Sequence, residues 1–425
     1  MQRKILDIPE MKELARRRVP KLFFEYADSG SFTESTYRAN EADFAAIKFR
    51  QRVLVDMADR SLESTMIGER VSMPVALAPT GLCGMQHADG EILAAQAAEA
   101  FGVPFTLSTM SICSIEDVAA HTKKPFWFQL YVMRDRGFVA ELIDRAKAAN
   151  CSALVLTLDL QILGQRHKDM RNGLTAPPKA RHFLQMAARL PWCLEMARTK
   201  RREFGNIVGH AKDVANLGEL QAWTNAQYDP RLSWDDVGWI RERWGGKLIL
   251  KGVLDVEDAR RAADTGAEAL VVSNHGGRQL DGAPSPIAML PAIAAAVGDR
   301  IEVHMDGGIR TGMDVLRALC LGAKGTYIGR PYLYGLGATK ASKAGDRGGP
   351  GAAAALADGA GPRRRGAPLG RGDRRAAAPR ARGGGRSGRA GGARRLPLRL
   401  RRDDPRPLGR GAPVAAPELR RPDRP

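Results

Sequence analysis

From residue 75 onward the chain alternates apolar runs of about six residues with stretches whose apolar positions recur at helical spacing. The apolar runs predict strands over 75–80, 105–109, 126–132, 153–159, 247–253, 269–274, 302–308 and 325–330. Helical patterns fall between them, among them 90–101, 138–149, 256–264 and 312–321. Short strands apolar on both faces, separated by amphipathic helices, form a parallel sheet covered by helices. Eight such units predict an α/β fold, a (β/α)8 TIM barrel, with functional groups at the C-terminal strand ends. Other parallel-sheet folds fit the pattern alone. The first 70 residues read as an N-terminal helical segment of short helices and loops without a strand, and Tyr26 sits where one helical pattern breaks before Gly30.

The predicted strand ends are polar. The sixth leads into Ser273-Asn274-His275-Gly276-Gly277-Arg278-Gln279, which places a titratable imidazole and a fixed cation together. Imidazole takes a proton near neutral pH and guanidinium holds a carboxylate through two parallel hydrogen bonds, so the pair suits an anionic substrate that must lose a proton. Other strands end at Ala78-Pro79-Thr80, Ser108, Gln129-Leu130-Tyr131, Thr157-Leu158-Asp159 and Lys251. A ring of buried polar groups requires a polar ligand or a dense hydrogen-bond network. The last two strands end at Asp306-Gly307-Gly308-Ile309-Arg310 and Gly329-Arg330, glycine-lined and cationic as a phosphate needs. An isomerase-type phosphate-binding barrel would use the same strand ends, but it would leave Lys251, Asp159, His275 and Arg278 together unexplained.

These segments, in this order from about residue 5 to about 337, resemble the FMN-dependent α-hydroxy acid dehydrogenases and oxidases, which include L-lactate dehydrogenase, glycolate oxidase and mandelate dehydrogenase. The resemblance implies FMN as cofactor and a small L-2-hydroxy acid, lactate foremost, as substrate. It makes His275, Asp159, Tyr131 and Lys251 catalytic, with Asp159 orienting the imidazole. It assigns Tyr26, Tyr131, Arg166 and Arg278 to the substrate. Ala78, Pro79, Thr80, Ser108, Gln129, Thr157, Lys251, Ser273, Asp306, Gly307, Gly308, Arg310, Gly329 and Arg330 go to the cofactor. Lys251 would stabilise the negative charge that reduction places on the flavin. The resemblance also implies a homo-oligomer. Gly81 follows Thr80 where oxidases of the family often carry Ala and several membrane-linked dehydrogenases carry Gly, which points to a quinone or cytochrome acceptor; an O2-using oxidase is the alternative.

Residues 167–232 are too long for an ordinary βα loop and carry Trp192, Trp223 and the basic run Arg198-Thr199-Lys200-Arg201-Arg202. A lid, an acceptor site, a peripheral membrane contact and a packed excursion against a neighbouring subunit all fit that composition. The N-terminus lacks a signal-peptide core and no run approaches a bilayer span, so the expected place is the cytoplasm, with peripheral contact at the cytoplasmic face of the inner membrane. Five dispersed cysteines imply free thiols, and no metal site is expected.

The net charge of +19 is uneven. Residues 341–425 hold 22 Lys and Arg against 7 Asp and Glu, which leaves 44 against 40 for the rest. That stretch has no aromatic, Ile, Met, Thr, Asn, Gln or His residue, and it is dominated by Arg, Gly, Ala and Pro. So little apolar bulk predicts disorder over 338–425. Charge alone gives salt-sensitive association, so no specific nucleic acid partner is expected. A shifted reading frame is the favoured origin, because GC-rich codons read out of frame yield this composition. Lacking the family's amphipathic eighth helix, the chain is expected to expose barrel surface, and an inactive truncated relative is a further alternative.

Overall fold

The computed structural model describes residues 5–174, 179–210, 223 and 226–339. A first unit runs through residue 48 and from 53 to 375, and the elements described below belong to it. The expected order or disorder of the C-terminal tail lies outside the described residues.

Among the described residues there are ten strands: β1 (Ser64–Met66), β2 (Glu69–Val71), β3 (Val75–Leu77), β4 (Thr106–Ser108), β5 (Trp127–Tyr131), β6 (Ala153–Thr157), β7 (Lys247–Val253), β8 (Ala269–Val272), β9 (Glu302–Met305) and β10 (Gly325–Ile328). Strands β3 to β10 form one parallel eight-stranded sheet in the order β3-β10-β9-β8-β7-β6-β5-β4. A parallel bridge between Leu77 and Phe105 joins its two ends, so the sheet closes into the expected (β/α)8 barrel. All residues of β3, β4, β6, β8 and β10 are buried, which is why these strands read as continuous apolar runs.

Side chains separate by parity along each strand. Ala76, Trp127, Val155, Ile249, Val271 and Tyr327 fill the barrel interior, and their alternates face the helices in a larger core. The antiparallel β1–β2 pair plugs the interior with Met66 and Ile67, and the Ile67 N–H donates to Glu302 Oε2 at 2.9 Å. This pair corrects the expectation of a strand-free N-terminal segment. Each of its strands has three residues, only one of them buried, too short for an alternation signal. Helices Ile8–Arg18, Lys21–Ala27 and Ser35–Ala46 bear out the rest of that segment.

The sheet strands mostly end before the sequence-predicted limits, because the chain leaves the ladder at the site. Val272 is the last residue of β8, and His275, Gly276 and Gly277 follow with φ of +58°, +67° and +72°. Helix Arg330–Ala338 is buried at every residue through Gly337 and packs on Ile8–Arg18. The expected lack of an eighth amphipathic helix, and the exposed barrel surface expected from it, fall on a stretch outside the described residues.

Candidate active site

The turn after β8 aims the imidazole. A left-handed conformation at a non-glycine residue costs about 1–2 kcal/mol. Here the His275 N–H donates to Ser273 Oγ at 3.0 Å and the Gly277 N–H to Asn274 Oδ1 at 3.0 Å, which hold the turn. A side chain at 277 would collide with the Tyr37 backbone at 2.6 Å, so only glycine passes.

His275 Nδ1 lies 2.8 Å from Asp159 Oδ1, beyond the end of β6. The carboxylate fixes the tautomer with the proton on Nδ1, leaving Nε2 as the acceptor. Nε2 lies 3.5 Å from the Tyr131 hydroxyl, at the end of β5. Burial opposes ionisation of Asp159, but the charge and hydrogen bond of His275 and the charge of Lys251 hold its carboxyl below the usual range. Lys251, buried on β7, contacts Asp306 Oδ2 at 3.0 Å and donates to Ser273 Oγ at 2.8 Å. Burial works against its charge, yet Asp306 and Asp159 outweigh burial and the ammonium is favoured.

Arg278 donates through one nitrogen to the Tyr26 carbonyl at 2.6 Å and to the Ser29 carbonyl at 3.2 Å, and its guanidinium lies 4.7 Å from the Tyr26 ring centre. Arg166 flanks the same ring at 5.8 Å and reaches Asp169 at 3.5 Å. Burial first, and the like charge of Arg166 next, press Arg278 down to about 10, so it is still a cation at neutral pH. Two cations forced together in a buried place attract a carboxylate.

Tyr26, Tyr131, Arg166, Lys251, His275 and Arg278 line one cavity enclosing about 1120 Å³ of empty space, part of it open to solvent, and Asp159 reaches it only through His275. Ala78, Pro79, Thr80, Asp306, Gly307, Gly308, Arg310, Gly329 and Arg330 line it too. Ser108, Gln129, Thr157 and Ser273 lie behind that lining. Ser108 Oγ donates to Gln129 Oε1, and Gln129 Nε2 to Thr157 Oγ1, each at 3.0 Å across β4, β5 and β6.

Gly307 and Gly308 have φ of +91° and +82°, and a Cβ on Gly308 would run into the Asn40 carbonyl. No L side chain fits there, which keeps the backbone bare as a phosphate cradle requires. Arg330 donates to the carbonyls of Ala27, Ser29 and Gly276 at 3.0, 2.8 and 3.0 Å, bonds that fix the guanidinium without cancelling its charge. Arg310 pairs with Glu41 at 2.7 Å. A bare glycine floor, fixed cations and a buried ammonium beside a polar strand-end network fit a phosphorylated flat cofactor.

A family described as FMN-dependent dehydrogenase matches residues 15–346. The chain belongs to the FMN-dependent dehydrogenase family. FMN is its cofactor, and the family's members are 2-hydroxy acid dehydrogenases and oxidases. Among its relatives is an L-lactate dehydrogenase of Actinobacillus pleuropneumoniae serotype 5b, 47% identical over 338 residues that cover 79% of this chain and 88% of that protein. The L-lactate dehydrogenase of Caulobacter vibrioides is 47% identical over 331 residues, 77% of this chain and 86% of the relative. Among solved structures, the monotopic membrane protein (S)-mandelate dehydrogenase superposes with a TM-score of 0.77 at 34% identity, covering 84% of this chain and 92% of that one. A mandelate oxidase reaches 0.67 at 37% identity, over 79% and 88%.

Sequence reasoning missed Phe204 and Tyr228, which reach the cavity from the long excursion. Neither belongs to a periodic pattern. Tyr228 is placed by an antiparallel bridge to Met133, a contact that local sequence does not encode. Within the excursion, helices His167–Arg171, Ala180–Ala187 and Leu190–Arg198 are present, and Arg201 ties it to the barrel through Asp117 at 2.7 Å and Asp89 at 3.1 Å.

Proposed function

We propose that this protein oxidises L-lactate to its 2-oxo acid and passes the electrons to a quinone or cytochrome. The observation that carries the chemistry is the Asp159–His275–Tyr131 array beside the Arg278–Arg166 pair. In this reading the two guanidinium groups and Tyr26 bind the carboxylate, and the substrate hydroxyl lies between His275 Nε2 and the Tyr131 hydroxyl. His275 accepts a proton at Nε2, and the imidazolium formed is stabilised by the Asp159 carboxylate on its other nitrogen. Bound FMN supplies the two-electron acceptor. Ala78–Thr80 and the glycines at 307, 308 and 329 would hold it, with Lys251 as the fixed cation for the arriving charge. Lactate is preferred as substrate because the relatives named for it are 47% identical, against 34–37% for the mandelate enzymes.

A membrane-side acceptor is supported by the excursion. Phe183, Leu184, Leu190 and Leu194 are 54, 71, 64 and 53% exposed, beside the exposed cations Arg181, Arg198 and Lys200. Among the described residues no helix is long and apolar enough to cross a membrane, so contact would be peripheral. Gly81 accords with the same acceptor, as the family resemblance implies. Assembly as a homo-oligomer belongs to the same reading.

The test is anaerobic mixing with L-lactate. The flavin absorbance is expected to bleach rapidly in the wild type and at least about a hundredfold more slowly in His275→Gln, with flavin still bound. Near-normal bleaching in the variant overturns the role of His275. Reoxidation in a stopped-flow instrument should be fast with quinone analogues or cytochrome and slow with O2; the reverse order makes the protein an oxidase.

A further inference from the structure

The α-carbon of a 2-hydroxy acid has four substituents. In the reading above, the carboxylate faces Arg278 and Arg166, the hydroxyl faces His275 and Tyr131, and the hydrogen faces the cofactor-binding strand ends. The side chain is left with the remaining wall, made of Met110, Leu160, Leu163, Phe204 and Tyr228. Space at this end is limited. A Cβ added to Gly81 would lie 3.1 Å from Tyr26 Oη and 3.2 Å from Met110 Cβ.

Tyr228 is the best-anchored part of that wall contributed by the excursion. Its backbone bridges Met133, the Arg134 N–H donates to the Gln227 carbonyl at 2.8 Å, and Arg134 Nε donates to the Tyr228 carbonyl at 3.1 Å. The next residue, Asp229, is buried and paired with Arg136 at 3.0 Å. The Tyr228 ring stands edge-on to Tyr131 at 90°, with 5.8 Å between centroids, and the Tyr131 ring lies nearly parallel to the His275 imidazole. The position of the Tyr228 ring is therefore coupled to the reacting end of the pocket.

We infer that Tyr228 is a specificity-determining residue whose ring closes the side-chain end of the pocket and restricts it to short aliphatic 2-hydroxy acids against aryl ones. The inference rests on the 2-hydroxy acid reading of the site. A pocket too small by a methylene or more discriminates by roughly 10- to 200-fold, so removing the ring should release about that much.

The experiment compares kcat/KM for (S)-mandelate with that for L-lactate in FMN-loaded wild type, Tyr228→Phe, Tyr228→Leu and Tyr228→Ala. The mandelate-to-lactate ratio is expected to rise at least about tenfold in the Leu and Ala variants and to stay within about twofold in Phe. Binding of phenylglyoxylate relative to pyruvate, read from the flavin absorbance, should move the same way. An unchanged ratio in Leu and Ala overturns the inference, as does a shift in Phe as large as in Ala, which would assign selectivity to the hydroxyl. Loss of bound flavin in both Leu and Ala also overturns it, by giving the ring a structural role. Wild-type flavoprotein that oxidises neither acid defeats the underlying functional reading instead.

Discussion

Asp159 places Oδ1 on His275, while its Oδ2 is buried without a hydrogen-bond partner. That arrangement makes the carboxylate an electrostatic partner for the imidazolium as well as a clamp for the neutral ring. Asp159→Asn should therefore lower kcat by about 10²–10⁴ while flavin stays bound, measured by steady-state kinetics and absorbance. Its pKa is depressed in the folded protein, so its contribution to stability is present above the ordinary carboxyl range and is lost only as pH falls through the lowered value. Between pH 5 and 8 this group stays ionised, and an acid limb of kcat/KM in that window belongs to another group. A sizeable loss of folding stability between pH 7 and 5 that disappears in Asp159→Asn would contradict the assignment. Lys251→Met removes the cation from the buried Asp306 and should cost about 3–5 kcal/mol in chemical denaturation. A change below 1 kcal/mol would mean that the Lys251–Asp306 pair adds little to the stability of the fold. His275, Arg278, Lys251 and Asp159 were legible in the sequence because each lies in an apolar strand or within six residues of the end of one. Tyr228 was not, since its place depends on a partner 95 residues earlier in the chain, Met133.

At the scale of elements, the eight barrel strands could be read because most of their residues are buried on both faces and form short apolar runs. Their ends were read two or three residues long in several cases. Ser273 and Asn274 follow β8 without a break in composition that marks where pairing stops, and the left-handed turn at His275 carries no signal except its glycines. The excursion was legible as an excursion, but not as a set of helices. It turns two kinds of surface to two tasks. Phe204 is 1% exposed and lines the cavity, whereas Phe183, Leu184, Leu190 and Leu194 face outward. If the outward face meets a bilayer, replacing those four residues with Ser should weaken sedimentation with anionic liposomes at least about tenfold, since a fully buried Leu or Phe contributes about 1.5–3 kcal/mol. Flavin content and lactate oxidation with a soluble acceptor should be unaffected. Undiminished liposome binding would move the membrane contact elsewhere.

For the whole molecule, charge and catalysis are divided along the chain. Every group assigned to the site lies at or before Arg330, and helix Arg330–Ala338 secures the end of the barrel against Ile8–Arg18, where a Cβ on Gly337 would meet Val19 at 2.7 Å and Ala15 at 3.0 Å. The family match ends at 346. The 22 Lys and Arg against 7 Asp and Glu of residues 341–425 fall almost entirely beyond that point, so the chain through Asp346 carries a net charge of only +4, Lys343 and Asp346 cancelling. We therefore propose residues 1–337 as the catalytic unit and 338–425 as an appendage to it. A chain truncated after Asp346 should bind FMN with the same absorbance spectrum and oxidise L-lactate at the full-length rate, because every group assigned to the site and every described helix is retained. Retention on a polyanionic column should fall sharply and lose its steep dependence on salt, since association through unpatterned cations scales with the number of counterions released. Truncated protein that has lost its flavin, or that turns over lactate at under a tenth of the full-length rate, would place the basic segment inside the catalytic unit.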